Sequence, residues 1–334
     1  MRKWRWILPV LVLAALAGCQ SLAYYSQAIG GHLRLLAKAR PVEDWLADPA
    51  TPPELKQRLQ TARRIREFAS SELKLPDNKS YLAYADLERP FVVWNVFAAP
   101  ELSVEPKGEC FPFTGCVSYR GFYAEEDARR HADKLRAQGY DVYVGGVPAY
   151  STLGWSDDPL LSTFIRYSDA QLARLLFHEL AHQVVYAKND TTFNESFAVA
   201  VEEEGVKRWL LAEGRSGELA DFQATQVRKR ELAERVAQTR ERLALVYRSS
   251  LSREQMLEQK RGEWARLRAS YPGIPAEPNN AFLVSIAVYT ELVPAFERLL
   301  AKSGSFERFY DEVKKLAKSG KRDIDDLLVR RPGA

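Results

Sequence analysis

The sequence predicts an α+β fold with a small mixed or antiparallel sheet, a helix pair after it and a mostly helical C-terminal part. Runs rich in β-branched and aromatic residues lie between residues 80 and 150, and such runs favour short strands. Apolar residues at helical spacing dominate before residue 75 and after residue 165, which favours helices.

Residues 1–18 have the pattern of an export signal. Arg2, Lys3 and Arg5 precede an apolar run, Trp6 to Leu16, which is too short to span a bilayer and is typical of a signal peptide. The run ends in Leu16-Ala17-Gly18-Cys19, which resembles the bacterial lipobox. The resemblance implies lipid attachment to Cys19, and acyl chains contribute about 0.8 kcal/mol of membrane affinity per buried methylene. An ordinary secreted protein with a chance cysteine is the alternative.

The residue after the cysteine bears on location. Gln20 stands there, and the absence of aspartate resembles lipoproteins sorted to the outer membrane of a Gram-negative cell, facing the periplasm. The formal charge of +4 falls to about +1 when the three signal-peptide cations are removed. Such a small charge does not favour a nucleic-acid partner.

Cys110 and Cys116 remain as an even pair once Cys19 is acylated. They flank a turn-rich loop, and an oxidising periplasm favours a disulfide between them. Two free buried thiols are the alternative, and a zinc knuckle is disfavoured because no further ligand lies nearby.

The elements upstream of the helix pair follow from local patterns. Pro52 and Pro53 stand where a helix can begin, and Gly139 ends another. Residues 19–78 are interpreted as a helical spacer, and the strands belong to a core region over residues 79–214. The sequence thus predicts helices at Tyr24–Ala39, Leu55–Leu73 and Ala124–Gln138, strands at Phe91–Phe97, Val117–Phe122 and Tyr140–Val144, and a turn at Gly145-Gly146.

His178-Glu179-Leu180-Ala181-His182 is the most definite chemical motif of the chain. At about 100° per residue, histidines four positions apart share one face of a helix, so both rings can bind one zinc ion. Glu179 then lies beside the metal and can act as the general base. Ser168 can cap this helix, and leucines at 172, 175, 176 and 180 can bury its other face. A surface helix with two idle histidines is the alternative.

Glu195 is the expected third ligand, because a catalytic zinc takes three protein ligands and leaves one position open. Two alternatives remain at this point. Thr192 and Glu195 could form a capping box at the start of the second helix, in which case Glu202 could be the ligand. Otherwise Glu202 or Glu203 could support a histidine from behind.

The two motifs together carry a family resemblance. His178 to Gln183, followed by Asn194-Glu195-Ser196-Phe197-Ala198, resembles the gluzincin metallopeptidases, particularly the zinc aminopeptidases. With the lipobox and the Ala149–Trp155 stretch, the chain is similar to predicted bacterial aminopeptidase lipoproteins. The resemblance implies a zincin-like fold and a His178, His182, Glu195 zinc site. Only twelve residues separate His182 from Glu195, and the Gly-x-Met-Glu-Asn segment that binds the substrate amine in zinc aminopeptidases is absent.

Two further roles are assigned to segments around the motif. Val147–Leu153 is a candidate edge strand along which a peptide substrate adds, with Ala149, Tyr150 and Ser151 as substrate-binding residues. A plain loop under the metal helix is the equal alternative. Tyr289 is the expected donor to the oxyanion, with Tyr150 and Tyr119 as rivals.

The C-terminal region, residues 215–334, is predicted to be helical. Glu218 to Tyr271 is long and charged with an apolar stripe, and Ser250–Ser252 breaks it into a helical hairpin. The hairpin either projects and binds a protein partner or forms a solvated face of the body.

The sequence therefore predicts a membrane-anchored periplasmic zinc peptidase, by resemblance an aminopeptidase, with Glu179 as general base. The alternatives are a catalytically silent envelope scaffold and an endopeptidase acting on cell-wall peptides.

Overall fold

A computed structural model describes residues 24–111, 115–271 and 274–319, and the mixed α+β class is confirmed. The signal peptide and Cys19 lie outside these residues. In the described part of the chain, no helix is long and apolar enough to cross a membrane.

Helices account for most of the described residues. They are α1 (24–38), α2 (Val42–Ala47), α3 (Pro53–Ser71), α4 (Glu125–Ala137), α5 (Asp169–Ala181), α6 (Thr191–Ala212), α7 (Ser216–Tyr247), α8 (Arg253–Ser270), α9 (Asn280–Thr290), α10 (Val293–Ser303) and α11 (Phe306–Ser319). The strands are β1 (Arg40–Pro41), β2 (Ala83–Ala85), β3 (Val93–Pro100), β4 (Glu109–Phe111), β5 (Gly115–Val117), β6 (Tyr119–Phe122), β7 (Tyr140–Val147) and β8 (Leu160–Leu161).

The sheet next to the helix pair is antiparallel and small. β3 lies in its centre, with β6 and β7 on either side, so that Asn95 stands opposite Gly121 and Gly145. β7 is therefore an edge strand of this sheet. A second sheet has the order β1, β2, β8 with β2 and β8 parallel, and β4 pairs with β5 in a hairpin.

The predicted turn at Gly145-Gly146 is wrong, because both glycines lie inside β7. The reason is steric. A Cβ on Gly146 would lie 2.2 Å from the Phe91 ring, so glycine is needed for close packing rather than for a turn.

The predicted edge strand at Val147–Leu153 is also wrong beyond its first residue. β7 ends at Val147, and residues 148–153 form a loop. Side chains form hydrogen bonds with the backbone groups that would otherwise pair in a strand. Thr163 donates to the carbonyl of Pro148 at 2.6 Å, and Asp158 accepts from the Thr152 amide at 2.9 Å. This edge of the sheet is therefore formed by β7 alone.

The helix pair consists of α5 and α6. Ser168 caps α5 by accepting from the Gln171 amide, as predicted, but α5 ends at Ala181 and leaves His182 at its C-cap. Asp190, not Thr192, caps α6 by accepting from the Phe193 amide, so the alternative in which Thr192 and Glu195 form a capping box does not fit the structure.

The main core packs around these two helices. The aliphatic face of α5 and the aromatic residues of α6 are fully buried in it, and α3 packs on α5 through the rings of Phe68 and Phe177. The histidines thus stand on a helix that is held from several sides.

α7 and α8 form the predicted helical hairpin, with a capping box between Ser252 and Gln255 at its bend. The hairpin packs along the body. The Lys260 amine of α8 donates to the Asp141 carboxylate of β7 at 2.7 Å, and Val236 and Trp264 share a cluster with Val104.

Candidate metal centre and cleft

The two helices bring three metal-binding side chains together. Nε2 of His178 and Nε2 of His182 lie 3.2 Å apart. An oxygen of Glu195, one turn into α6, lies 3.3 Å from the first of these nitrogens and 3.6 Å from the second. These three residues form a group that could hold a metal ion. All three side chains are largely buried.

Glu202 supports His178 from behind. Nδ1 of His178 donates to the Glu202 carboxylate at 2.8 Å, and Arg174 donates to the same carboxylate at 3.0 and 3.1 Å. Because Glu202 occupies the opposite side of the ring from Glu195, the alternative in which Glu202 is a ligand does not fit the structure. Glu203 turns away and accepts from Arg230 at 3.3 Å.

The electrostatics of the site favour a cation. Burial alone would lower the pKa of His178, but hydrogen bonds and charges from Glu195, Glu202 and Glu179 raise it instead. For Glu195 and Glu202, burial alone would raise the pKa, but neighbouring positive charges lower it. The net pKa shift of both carboxyl groups is downward. Buried ionised carboxylates facing imidazoles also stabilise a bound metal ion.

Glu179 lies beside this group and is itself buried. Burial raises its pKa above the ordinary carboxyl value, although the two histidines oppose the shift. A raised pKa brings a carboxylate closer to the range in which it exchanges protons during catalysis.

The three candidate tyrosines differ in position. The Tyr289 ring lies 6.5 Å from the His178 ring and borders the cleft on both sides of the metal group. Tyr119 borders only one side. The Tyr150 hydroxyl is 2.5 Å from Nδ1 of His32 and is thereby engaged. Burial raises the pKa of Tyr289 well above its ordinary value, which keeps its hydroxyl protonated.

The cleft consists of two cavities that meet at the metal group. The larger has a volume of about 960 Å³ and extends along α7, and the smaller has about 420 Å³ and extends toward α1. The residues shared by both linings are Asn95, Val147, Ala149, His178, Glu179 and Tyr289.

The predicted substrate-binding residues all border this cleft. Ala149 lines both cavities, and Tyr150 and Ser151 line the smaller one. The sequence interpretation missed the residues that line the cleft away from the metal group. Gly145 and Gly146 of β7 and one face of α7 line the larger cavity, and Tyr24 and Tyr25 of α1 line the smaller one. The support of His178 by Glu202 is one of the alternatives that the sequence leaves open, whereas the contribution of Arg174, one turn before His178, was not predicted.

Cys110 and Cys116 are joined by a disulfide. It closes the β4–β5 hairpin at the rim of the smaller cavity, where Asn189 accepts a hydrogen bond from the Cys116 amide at 2.7 Å. The hairpin is thereby attached to the loop between α5 and α6.

Comparison with known proteins gives one match. A family model described as "Putative aminopeptidase" matches residues 23–328. No curated protein and no solved structure matches the chain. The matched region includes the whole metal group and both cavities.

Proposed function

The chain belongs to the "Putative aminopeptidase" family, and from this premise we propose that it is a zinc-dependent aminopeptidase. His178, His182 and Glu195 would hold the metal, and Glu179 would act as the general base. The triangle of donor atoms described above is the observation that carries the proposal.

The dimensions of that triangle favour zinc. Tetrahedral zinc with ligands at 2.0–2.2 Å separates neighbouring donor atoms by roughly 3.3–3.6 Å. The three distances are 3.2, 3.3 and 3.6 Å. Two histidines and one glutamate are also a usual ligand set for catalytic zinc.

The residues divide the work of hydrolysis. Zinc, when bound, supplies a Lewis acid that polarises the scissile carbonyl and makes water more acidic. Glu179, with its pKa raised by burial, accepts the proton of the attacking water and returns it to the departing amine. Tyr289, whose ring lies 6.5 Å from the His178 ring, would donate its hydroxyl to the oxygen of the carbonyl as negative charge develops.

The shape of the cleft supports cleavage near the amino end of a peptide. Tyr143, Gly145 and Gly146 of β7 line only the larger cavity, and further along the chain Tyr150, Ser151 and Leu153 line only the smaller one. A peptide that adds antiparallel to this edge runs the opposite way. Its amino end then enters the smaller cavity.

The larger cavity would hold the rest of the substrate. α7 borders it from Gln226 to Ala244, a length of about 27 Å at 1.5 Å per residue. An extended peptide covers that distance with about eight residues. Oligopeptides are therefore the proposed substrates.

The location is proposed from the sequence pattern alone. We infer a lipid anchor at Cys19 and a periplasmic enzyme on the outer membrane. A protein partner at the α7–α8 hairpin is a further expectation.

The test measures metal and hydrolysis together. The purified protein is expected to contain one zinc per chain by elemental analysis and to release amino-terminal residues from free oligopeptides. A chelator should abolish both, and zinc should restore both. A protein that binds zinc but cleaves neither free nor amino-blocked peptides would refute the enzymatic proposal and favour a scaffold, whereas cleavage inside amino-blocked peptides would indicate an endopeptidase.

A further inference from the structure

The smaller cavity has an aromatic end wall that faces the metal group. Tyr24 and Tyr25, from the first turn described in α1, line it together with Phe111 of β4. The Tyr24 and Phe111 rings stack with centroids 5.2 Å apart, and Tyr25 meets Phe111 edge to face at 6.4 Å. Two elements distant in sequence therefore meet at one place in the lining of the cavity.

Contacts along α1 hold its side of the wall. The Tyr123 amide donates to Gln27 at 3.2 Å, and His32 shares a hydrogen bond with Tyr150 at 2.5 Å. Gly31 fits against the Tyr123 ring so closely that a Cβ there would lie 2.3 Å from it. These contacts fix α1 at its present distance from the cleft.

The other side of the wall is fixed as well. Phe111 follows Cys110 in the disulfide-closed hairpin, and the hairpin is attached to Asn189. The Arg120 guanidinium covers Tyr24, 4.1 Å from the ring centroid. The wall therefore consists of rigid aromatic groups with few rotatable bonds.

The lining of the smaller cavity is mainly aromatic and carries few charges. Aromatic side chains make up much of its described lining, which contains no lysine, arginine or aspartate, and Glu179 and Glu195 of the metal centre are the only carboxylates in it. A glutamate side chain placed there would lose its hydration beside carboxylates of the same charge, and a lysine would find carboxylates only at the metal centre. An apolar side chain would gain from burial.

We propose that this wall makes the smaller cavity an end pocket for one apolar or aromatic amino-terminal residue. This proposal rests on the proposed function. The wall excludes peptides that extend further on the amino side. Selection of a free amino end then comes from a physical stop at Tyr24, Tyr25 and Phe111. It does not need a separate carboxylate for the substrate amine.

The experiment uses the full chain and peptides that differ only at the amino end. The wild type is expected to remove leucine or phenylalanine at least about 100-fold faster than lysine or glutamate, judged by kcat/KM. It should cut only the first bond, as seen by mass spectrometry of the products. Tyr24→Ala and Phe111→Ala should gain cleavage of the second and third bonds by about tenfold.

Control variants separate the wall from general damage. Tyr140→Ala removes a half-buried aromatic side chain that lines neither cavity and should leave the cleavage pattern unchanged. Ala28→Phe, which narrows the pocket instead of opening it, should shift preference from phenylalanine to alanine by about tenfold. Melting temperatures check that each variant folds.

The outcomes distinguish the two levels of proposal. If the wild type cleaves no peptide, the proposed function fails. If the wild type removes single residues but accepts charged ones equally, or if the wall and Ala28 variants keep its pattern, the proposed function stands and the end pocket is overturned.

Discussion

The Glu202 carboxylate accepts a hydrogen bond from Nδ1 of His178 at 2.8 Å while Nε2 of the same ring faces Glu195 at 3.3 Å. In the neutral ring, the carboxylate, which can only accept, favours the proton on Nδ1. The lone pair of Nε2 is then free for a metal. Arg174 in turn fixes Glu202, so three residues determine how one ligand is presented.

We expect Glu202→Gln to weaken zinc binding by about 10- to 100-fold, because the substitution removes the charge that supports the histidine. Competition with a chelator of known affinity measures the effect. Glu204→Gln is the matched control on the same helix, since Glu204 pairs with Lys207 and Arg208 and with no other group among the residues that the structure describes. Equal zinc affinity of the two variants would contradict this role of Glu202.

Glu179→Gln is expected to keep the metal and lose activity. The amide has the same shape but cannot accept the proton of water, and a general base contributes about 10²- to 10⁴-fold to the rate. Zinc content and kcat are measured on the same sample. Glu195→Gln serves as the contrast, because it should lose zinc as well as activity. If Glu179→Gln retains full kcat, the general base is another group.

Tyr289→Phe tests the proposed oxyanion donor. Loss of such a donor lowers kcat by about 100-fold with little change in KM. The ring contact with His178 remains in phenylalanine, so zinc content should not change. Tyr150→Phe is the comparison, because its hydroxyl contacts His32 instead, and it should retain most of kcat. The reverse order of effects would make Tyr150 the donor.

Local patterns in the sequence were sufficient for much of this fold. The start of α3 at Pro53, the Ser168 cap and the histidine pair on α5 each depend on residues within one or two turns. Such features are predictable because the interactions that form them are close in sequence.

Contacts between distant segments decided the rest. Gly145-Gly146 has the composition of a turn, but packing of Phe91 places it in a strand. The support of His178 by Glu202 spans 24 residues, and the wall that joins Tyr24 to Phe111 spans more than 80. The sequence offers Glu202 both as an alternative ligand and as a support for a histidine without deciding between them, and the hydrogen bond to Nδ1 of His178 decides for the support. It does not indicate the wall, because no periodicity reflects contacts between such distant segments.

The titration of His131 is expected to make the stability of the fold depend on pH. Burial against the Phe122 ring, assisted by the nearby Arg120 charge, lowers its pKa from 6.5 to about 4. The unfolded chain therefore binds a proton at a higher pH than the folded chain does. The free energy of unfolding should be highest above pH 6.5 and should fall as the pH decreases toward about 4. Urea unfolding at a series of pH values measures this slope, which His131→Gln should reduce. Arg136→Gln, an exposed change on the same helix, should leave the slope as it is, and an unchanged slope in His131→Gln would assign the pH dependence to other groups.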